Sequence, residues 1–436
     1  MKKLALTFAI ASSLSTMAHS DDDLFSVFGV LDIAYGSQSN GLPANNNIGG
    51  SINSSVYFSG TNPNVGPSTG LWSGGLSQDR IGIKGRKSFA NGWRAGYLAD
   101  TGFNIVGLKL VNADQAIVDN SGRTAANYVS SSSNSSQNGQ FFNREAYASF
   151  GYGGFGDIRL GRNQSNLNDA AGGVAPFQNS QIFSLLGSSS AFGGGVGVSE
   201  AVRLNNSIKY LNKFGDVNFS AMYAGGDGTA LTNQGNMSGL GIGYQANGLN
   251  VQYAFSSVTD VVKQSQSTTA GDISAKIYNA QGWLLGAAYD INKSWNIQVG
   301  TSQYTLSAPS DSANLPGSIN GFAIAPVMVA GLNSGSSQTA QLYWSGVTFK
   351  ASDKWTLYGT YQQAQYPGYK NGATVYTDGD VSWTAAMATY SYNKETDIYA
   401  AFADIRLSNT TSSSAIAGSK PISNNQLLGI GVRYKF

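Results

Sequence analysis

The chain has 436 residues, of which 26 are Lys or Arg and 24 are Asp or Glu, for a formal net charge of +2. Only 11% is charged, against about 25% in a soluble globular domain, yet mean hydropathy is −0.16 and no apolar run reaches the roughly 20 residues of a spanning helix. The absence of cysteine excludes disulfide frameworks, thiolate metal sites and cysteine nucleophiles together.

At the N-terminus, Lys2 and Lys3 precede a short apolar segment, Leu4 to Ala11. Ala18-His19-Ser20 then places small residues three and one before a cut. This is a secretory signal pattern, too short for a spanning helix. Cleavage is expected after Ser20, leaving residues 21–436. The only histidine, His19, departs with the signal, as do Lys2 and Lys3, so 24 basic and 24 acidic residues remain. The mature chain is formally neutral. Without histidine or cysteine it cannot host Ser-His-Asp or Cys-His catalysis, or a histidine or thiolate zinc site. No enzymatic activity, metal or cofactor is expected. No basic, aromatic-interleaved patch points to nucleic acid.

From residue 24 onward, segments alternate apolar with small or polar positions and are separated by turn residues. Alternation at period two marks strands with two unlike faces. Sixteen are predicted, near 24–36, 76–88, 93–101, 141–151, 155–163, 202–214, 217–226, 237–247, 249–258, 277–290, 295–306, 338–350, 354–365, 380–392, 396–407 and 423–436. Their connections alternate short and long. Short ones include Asn91-Gly92, Gly215-Asp216, Asn247-Gly248, Asn292-Lys293-Ser294, Ser352-Asp353 and Asn393-Lys394-Glu395. Long ones, near 37–75, 101–140, 164–201, 227–236, 259–275, 307–337, 366–379 and 408–422, are rich in Ser, Asn and Gly and lack a strand pattern. A soluble sandwich has no reason to keep every second loop long. An outer-membrane barrel does, with tight periplasmic turns and long external loops. The reading is therefore all-β: a sixteen-stranded antiparallel transmembrane barrel with both termini at the periplasmic end.

Trp93, Trp295 and Trp355 each lie within three residues of a short turn, in phase with apolar neighbours. That is the pattern of an interfacial aromatic girdle. In the last strand, Leu428, Ile430, Val432, Tyr434 and Phe436 share one face, and Gly429, Gly431, Arg433 and Lys435 share the other. The segments near 380–392 and 396–407 alternate ambiguously, and their faces stay open.

Inside such a barrel, inward charges carry the function. In Arg80-Ile81-Gly82-Ile83-Lys84-Gly85-Arg86 the isoleucines face out, and Arg80, Lys84 and Arg86 face in. Arg94, opposite the face of Trp93, extends this into a basic ladder. The loop at 164–201 differs from the other long loops. It carries Phe177, Ile182, Phe183, Leu185, Leu186 and Phe192, with Asp169 as its internal acid and Glu200 at its end. Those apolar residues suit a loop folded into the barrel and packed on its wall; a contact with a neighbouring subunit is the competing reading.

Several segments together resemble the Gram-negative porin family in its betaproteobacterial-type branch: Phe28-Gly29-Val30-Leu31-Asp32, Arg80 to Gly85, Phe142-Asn143-Arg144-Glu145-Ala146-Tyr147, Phe155 to Arg162, Arg203 to Tyr210, and Tyr434-Lys435-Phe436. The resemblance covers essentially the whole mature chain. It implies a homotrimeric general-diffusion channel for ions and small hydrophilic solutes in the Gram-negative outer membrane. The implied surroundings are the lipid bilayer, lipopolysaccharide and the outer-membrane barrel assembly machinery. It also implies that the third external loop narrows the pore, and that Arg80, Arg162 and Arg203 form the wall arginines facing it. Arg162 departs from strict alternation with Ile158 and Leu160. Tyr434 and Phe436 match the family's C-terminal assembly signal. One departure stands out: where many members carry loop acids, this loop reads Ala175-Pro176-Phe177-Gln178-Asn179. A constriction with arginines and few acids is expected to prefer anions. Asp32, Asp100 and Asp157 are the inward acids that could weaken that preference. The alternatives are a substrate-specific sugar or organic-anion channel, and, less favoured, an enzyme barrel or a structural surface protein.

Overall fold

The computed structural model of the chain describes residues 23–41, 66–110, 141–180, 182–184, 203–225, 236–259, 263–268, 271–276, 279–307, 318–319, 322–323, 337–366, 369–371, 374–376, 379–408 and 424–436. The expected signal segment 1–20 lies outside the described residues, as do Leu185, Leu186, Phe192 and Glu200.

Sixteen antiparallel strands close into one barrel. β1 (Ser26–Gly41) pairs with both pieces of β2 (Gly66–Ser73 and Arg80–Ser88). There follow β3 (Trp93–Asn104), β4 (Ala146–Tyr152), β5 (Asp157–Gln164), β6 (Arg203–Phe214), β7 (Val217–Ala224) and β8 (Met237–Ala246). Then come β9 (Leu249–Val258), β10 (Asn279–Asp290), β11 (Trp295–Ser307), β12 (Gln338–Lys350) and β13 (Trp355–Tyr366). β14 (Gly379–Ser391), β15 (Thr396–Ser408) and β16 (Asn424–Lys435) complete the sheet. Each strand pairs with its sequence neighbours, and β16 returns to β1 with Val30 opposite Lys435 and Gln38 opposite Leu427. The terminal Phe436 extends this seam: its N–H donates to Gly29 O at 3.1 Å, and Gly29 N–H donates to Phe436 O at 2.9 Å. Closure leaves no edge, so strand backbone groups can be satisfied inside lipid.

Every second connection has two to four residues. At Asn247 and Gly248, φ is 52° and 81°, the positive pair that a two-residue hairpin requires. Elsewhere a side chain holds the turn. Asn292 Oδ1 accepts from Ser294 N and Trp295 N, and Asn393 Oδ1 accepts from Glu395 N and Thr396 N. Ser352 Oγ does the same for Lys354 N and Trp355 N. Just above these turns the exposed tryptophans sit on cross-strand aromatic partners. Trp93 is 5.0 Å from Tyr152, Trp295 is 4.3 Å from Phe349 and Trp355 is 5.0 Å from Tyr390. The aromatic band thus runs around one end of the barrel.

The outward faces are apolar and exposed, as in Leu428, Ile430, Val432 and Tyr434 of β16. The two ambiguous strands also resolve. β14 turns Val381, Trp383, Ala385 and Met387 inward, and β15 turns Asp397, Tyr399, Ala401, Ala403 and Ile405 inward. Their outward positions include Thr384, Ala386, Ile398 and Phe402. Period two fails as a signal here because both faces are apolar, one against lipid and one against a packed interior. That interior is a continuous cluster joining Trp383, Ile405 and Leu427 to Trp72 and to Leu167, Val174, Phe177 and Phe183 of the connection after β5.

Three sequence expectations change. The second strand begins at Gly66 rather than near 76 and is broken at 74–79, so the first long connection is shorter than 37–75. The freed backbone groups in the break find carboxylates. Asp32 Oδ2 accepts from Leu76 N at 2.8 Å and Ser77 N at 2.7 Å, while Asp79 accepts from Asp32 N and the Ser73 hydroxyl. The fourth strand starts at Ala146, not near 141, because the Asn143 side chain takes over the pairing. Its amide accepts from Gly102 N at 2.7 Å and donates to Gly102 O at 2.9 Å. Finally, long connections read as lacking strands hold short hairpins, such as Lys263–Thr268 with Gly271–Lys276 and Tyr369–Asn371 with Thr374–Tyr376. The first of these is largely polar on both faces and gives no apolar alternation.

Candidate functional site

The connection after β5 folds into the barrel. Ser165 caps helix α1 (Asn166–Val174), its hydroxyl accepting from Asn168 N at 3.3 Å. α1 buries Leu167, Ala170, Ala171 and Val174 and lies across the inner faces of β8 to β11. Asn250 Nδ2 donates to Gly173 O at 2.8 Å, and Trp344 Nε1 donates to Val174 O at 3.2 Å, satisfying carbonyls at the helix end. A short 3-10 turn, Pro176–Asn179, continues over β12 and β13. There Phe177 is buried 6.0 Å from the ring of Tyr358. Ser180 Oγ then donates to Gly75 O at 2.6 Å, in the break of β2, and Phe183 lies 6.2 Å from Trp72. Gln362 Nε2 donates to Ser184 Oγ at 3.0 Å. The described part of the segment is therefore tied to the wall at both ends.

Four arginines gather on β2, β5, β6 and the approach to β4. Arg80 faces in, opposite to the exposed Ile81. Arg162 shares the inside despite following Ile158 and Leu160, both exposed. The reason is a bulge: the register between β5 and β6 slips between Gly161 and Asn163, and Gly161 has φ 136°. At this slip Arg162 points inward, where Nε donates to Asn143 O at 3.1 Å and Nη1 to Asn205 Oδ1 at 2.9 Å, Asn205 being one of the extra residues of β6. Arg203 lies beyond the slip, opposite Gln164, and its Nε is buried with no hydrogen-bond partner among the described residues. Arg144 is a charged neighbour of both Arg80 and Arg203, and Arg162 is one of Arg203.

The acids nearby are engaged. Asp100 accepts from Arg144 Nε at 2.8 Å and from Glu145 N at 2.7 Å. Asp32 is buried in the β2 break and accepts from Tyr399 OH at 2.6 Å. Asp157 pairs with Arg94 at 3.3 Å. Asp169, in the first turn of α1, accepts from Gln164 Nε2 at 3.0 Å and is ion-paired with the fully buried Lys209. Glu145 is a further carboxylate close to both Arg80 and Arg203.

A family model described as Gram-negative porin matches residues 5–410. The chain belongs to the Gram-negative porin family. Among solved structures, an anion-selective porin from Comamonas acidovorans is 16% identical, with TM-score 0.57, covering 94% of this chain and 99% of that one. In-vitro folded OmpT of Vibrio cholerae is 13% identical, with TM-score 0.56 and coverage of 96% and 99%. OmpF of Salmonella typhi, in complex with daunomycin, is 15% identical, with TM-score 0.53 and coverage of 96% and 99%. Comparison with curated proteins finds no match. The sixteen-stranded barrel is thus that of an outer-membrane channel protein.

In this porin Arg144 is a charged neighbour of both Arg80 and Arg203, and Arg162 is one of Arg203, while Lys84 lies 5.4 Å over the ring of Phe28. Arg94 sits near a short turn, donating to Asp157 and to Gly153 O. Pro176 and Phe177 lie in the inward segment, and Tyr434 stacks 5.9 Å from Phe436 at the barrel seam. Sequence reasoning did not single out Arg144, Glu145 and Lys209 as site residues. Arg144 and Glu145 fall inside the predicted strand near 141–151, but the strand starts at Ala146, so alternation gives neither residue's direction. Lys209 was visible as an inward lysine on β6, but its partner comes from a loop whose path the sequence does not specify.

Proposed function

We propose that this porin is a water-filled diffusion channel that prefers anions at a constriction between the inward segment after β5 and the arginines Arg80, Arg144, Arg162 and Arg203. One observation carries the reading: four guanidinium groups lie close together with Asp100 and Glu145, Asp100 being taken by Arg144, while Asp169 of the facing loop is paired with Lys209. Fixed charge in a narrow pore selects by sign. Reversal potential across a salt gradient in a planar bilayer tests it, with an anion-favouring sign expected. Replacing Arg80, Arg162 and Arg203 by Ala should remove roughly 0.5–1 kcal/mol of anion preference per charge. A cation-favouring wild type, or a triple variant that keeps its anion preference, overturns the reading. Conductance that saturates with one organic anion would make the channel substrate-specific rather than general.

The same reading has three copies assembling in a bilayer with lipopolysaccharide, and Tyr434 and Phe436 addressing the chain to the barrel assembly machinery. It is supported by the trimer form in which OmpT of Vibrio cholerae is described and by the position of Phe436 at the closing seam. Three-step closure of single channels is the expected signature.

A further inference from the structure

Lys209 lies on β6 between Arg159 of β5 and Met222 of β7 in the pairing registers, and it is completely buried. A buried lysine is costly unless it is paired and hydrogen-bonded. Here Nζ donates to Gln164 O at 2.7 Å and is ion-paired with Asp169. Gln164 is the last residue of β5, and Asp169 stands in the first turn of α1. One ammonium group therefore holds both sides of the strand-to-helix corner where the chain turns into the barrel. Asp169 is the only acid among the described residues of that inward segment. Its charge is consumed at the wall, on the arginine-bearing strand β6 itself.

We propose that Lys209 is a specificity-determining residue: it neutralises Asp169 and so keeps the inward loop from presenting negative charge to the arginines. This rests on the reading of the segment as the constriction. It goes beyond the arginine cluster, because it assigns selectivity to a buried ion pair between the wall and the inward segment. A loop acid left without its lysine would act across the lumen on permeating ions. The effect on selectivity would then depend on the acid as well as on the lysine.

The test uses full-length wild type, Lys209→Met, Asp169→Asn and the double variant, each refolded or purified as the assembled barrel and measured for reversal potential. Lys209→Met should lower the anion-to-cation permeability ratio by roughly two-fold or more, and the double variant should return to the wild-type ratio. A merely structural lysine predicts no such restoration. Should Lys209→Met fail to fold while the double variant folds and selects like wild type, the unmasked carboxylate is the cause and the proposal stands. A Lys209→Met channel with the wild-type ratio, a double variant as displaced as the single one, or loss of folding in both overturns it. The shift is read relative to wild type, so it remains decisive whichever ion sign wild type shows. Failure of the anion reading is seen separately, in the wild-type sign.

Discussion

Gly161 shows how a residue without a side chain places a charge. Its φ of 136° is open to glycine and strained for others, and a Cβ there would drive into the carbonyl oxygen of Ala146 and lie 3.0 Å from Tyr147 Cα. It stands at the register slip between β5 and β6, directly before Arg162, which leaves the alternation of Ile158 and Leu160 and turns to the lumen. Gly161→Ala should cost about 1–3 kcal/mol through backbone strain, visible as a lower unfolding temperature of the detergent-solubilised barrel. It should also displace Arg162 and reduce anion preference, whereas Ala at Gly154, which has nothing within 4 Å, should change neither. The sequence already exposed the anomaly, since Arg162 broke the alternation of Ile158 and Leu160. It could not supply the cause, because a register slip is a property of two strands.

At the level of elements, the inward segment is held by polar bonds to the wall and by a broad apolar face. Leu167, Val174, Phe177 and Phe183 meet inward residues of the wall, and Trp344 donates its indole N–H to Val174 O. Trp344→Phe removes that bond while keeping an aromatic ring. It should weaken the loop's attachment by about 0.5–1.5 kcal/mol, read as increased open-channel current noise with the barrel's unfolding midpoint little changed. The apolar content of this loop was legible in the sequence, and it predicted packing on a wall. The helix within it, and the wall it chose, were not. β14 and β15 were unreadable for the complementary reason: the apolar side chains that receive the loop interior erase the contrast between their two faces.

For the whole molecule, the low charge follows from the solvent. One side of nearly every strand faces hydrocarbon, where Arg or Lys costs about 2–4 kcal/mol at the midplane and about 0–1 near the interface. Ile430 is central in β16 and outward, whereas Tyr434 lies beside the short turn at Thr396. Ile430→Arg should therefore destabilise the barrel in bilayers by about 2–4 kcal/mol, and Tyr434→Arg by at most about 1 kcal/mol. Reversible denaturant unfolding in lipid vesicles measures both. Equal costs at the two positions would mean that this face does not cross the bilayer as described.

The sequence by itself determined the barrel. Period-two alternation, alternating loop lengths and tryptophans beside the turns are all local signals, and closure follows from their number and from the need to satisfy every backbone group in lipid. Only the tertiary structure decided where the charges count. Arg80, Arg144, Arg162 and Arg203 lie on separate strands and their approaches, Asp100 is taken by Arg144, and Asp169 is taken by Lys209. Which acid meets which base depends on strand register, on one bulge and on the path of one loop. Those arise from long-range pairing and packing rather than from the pattern of any single segment.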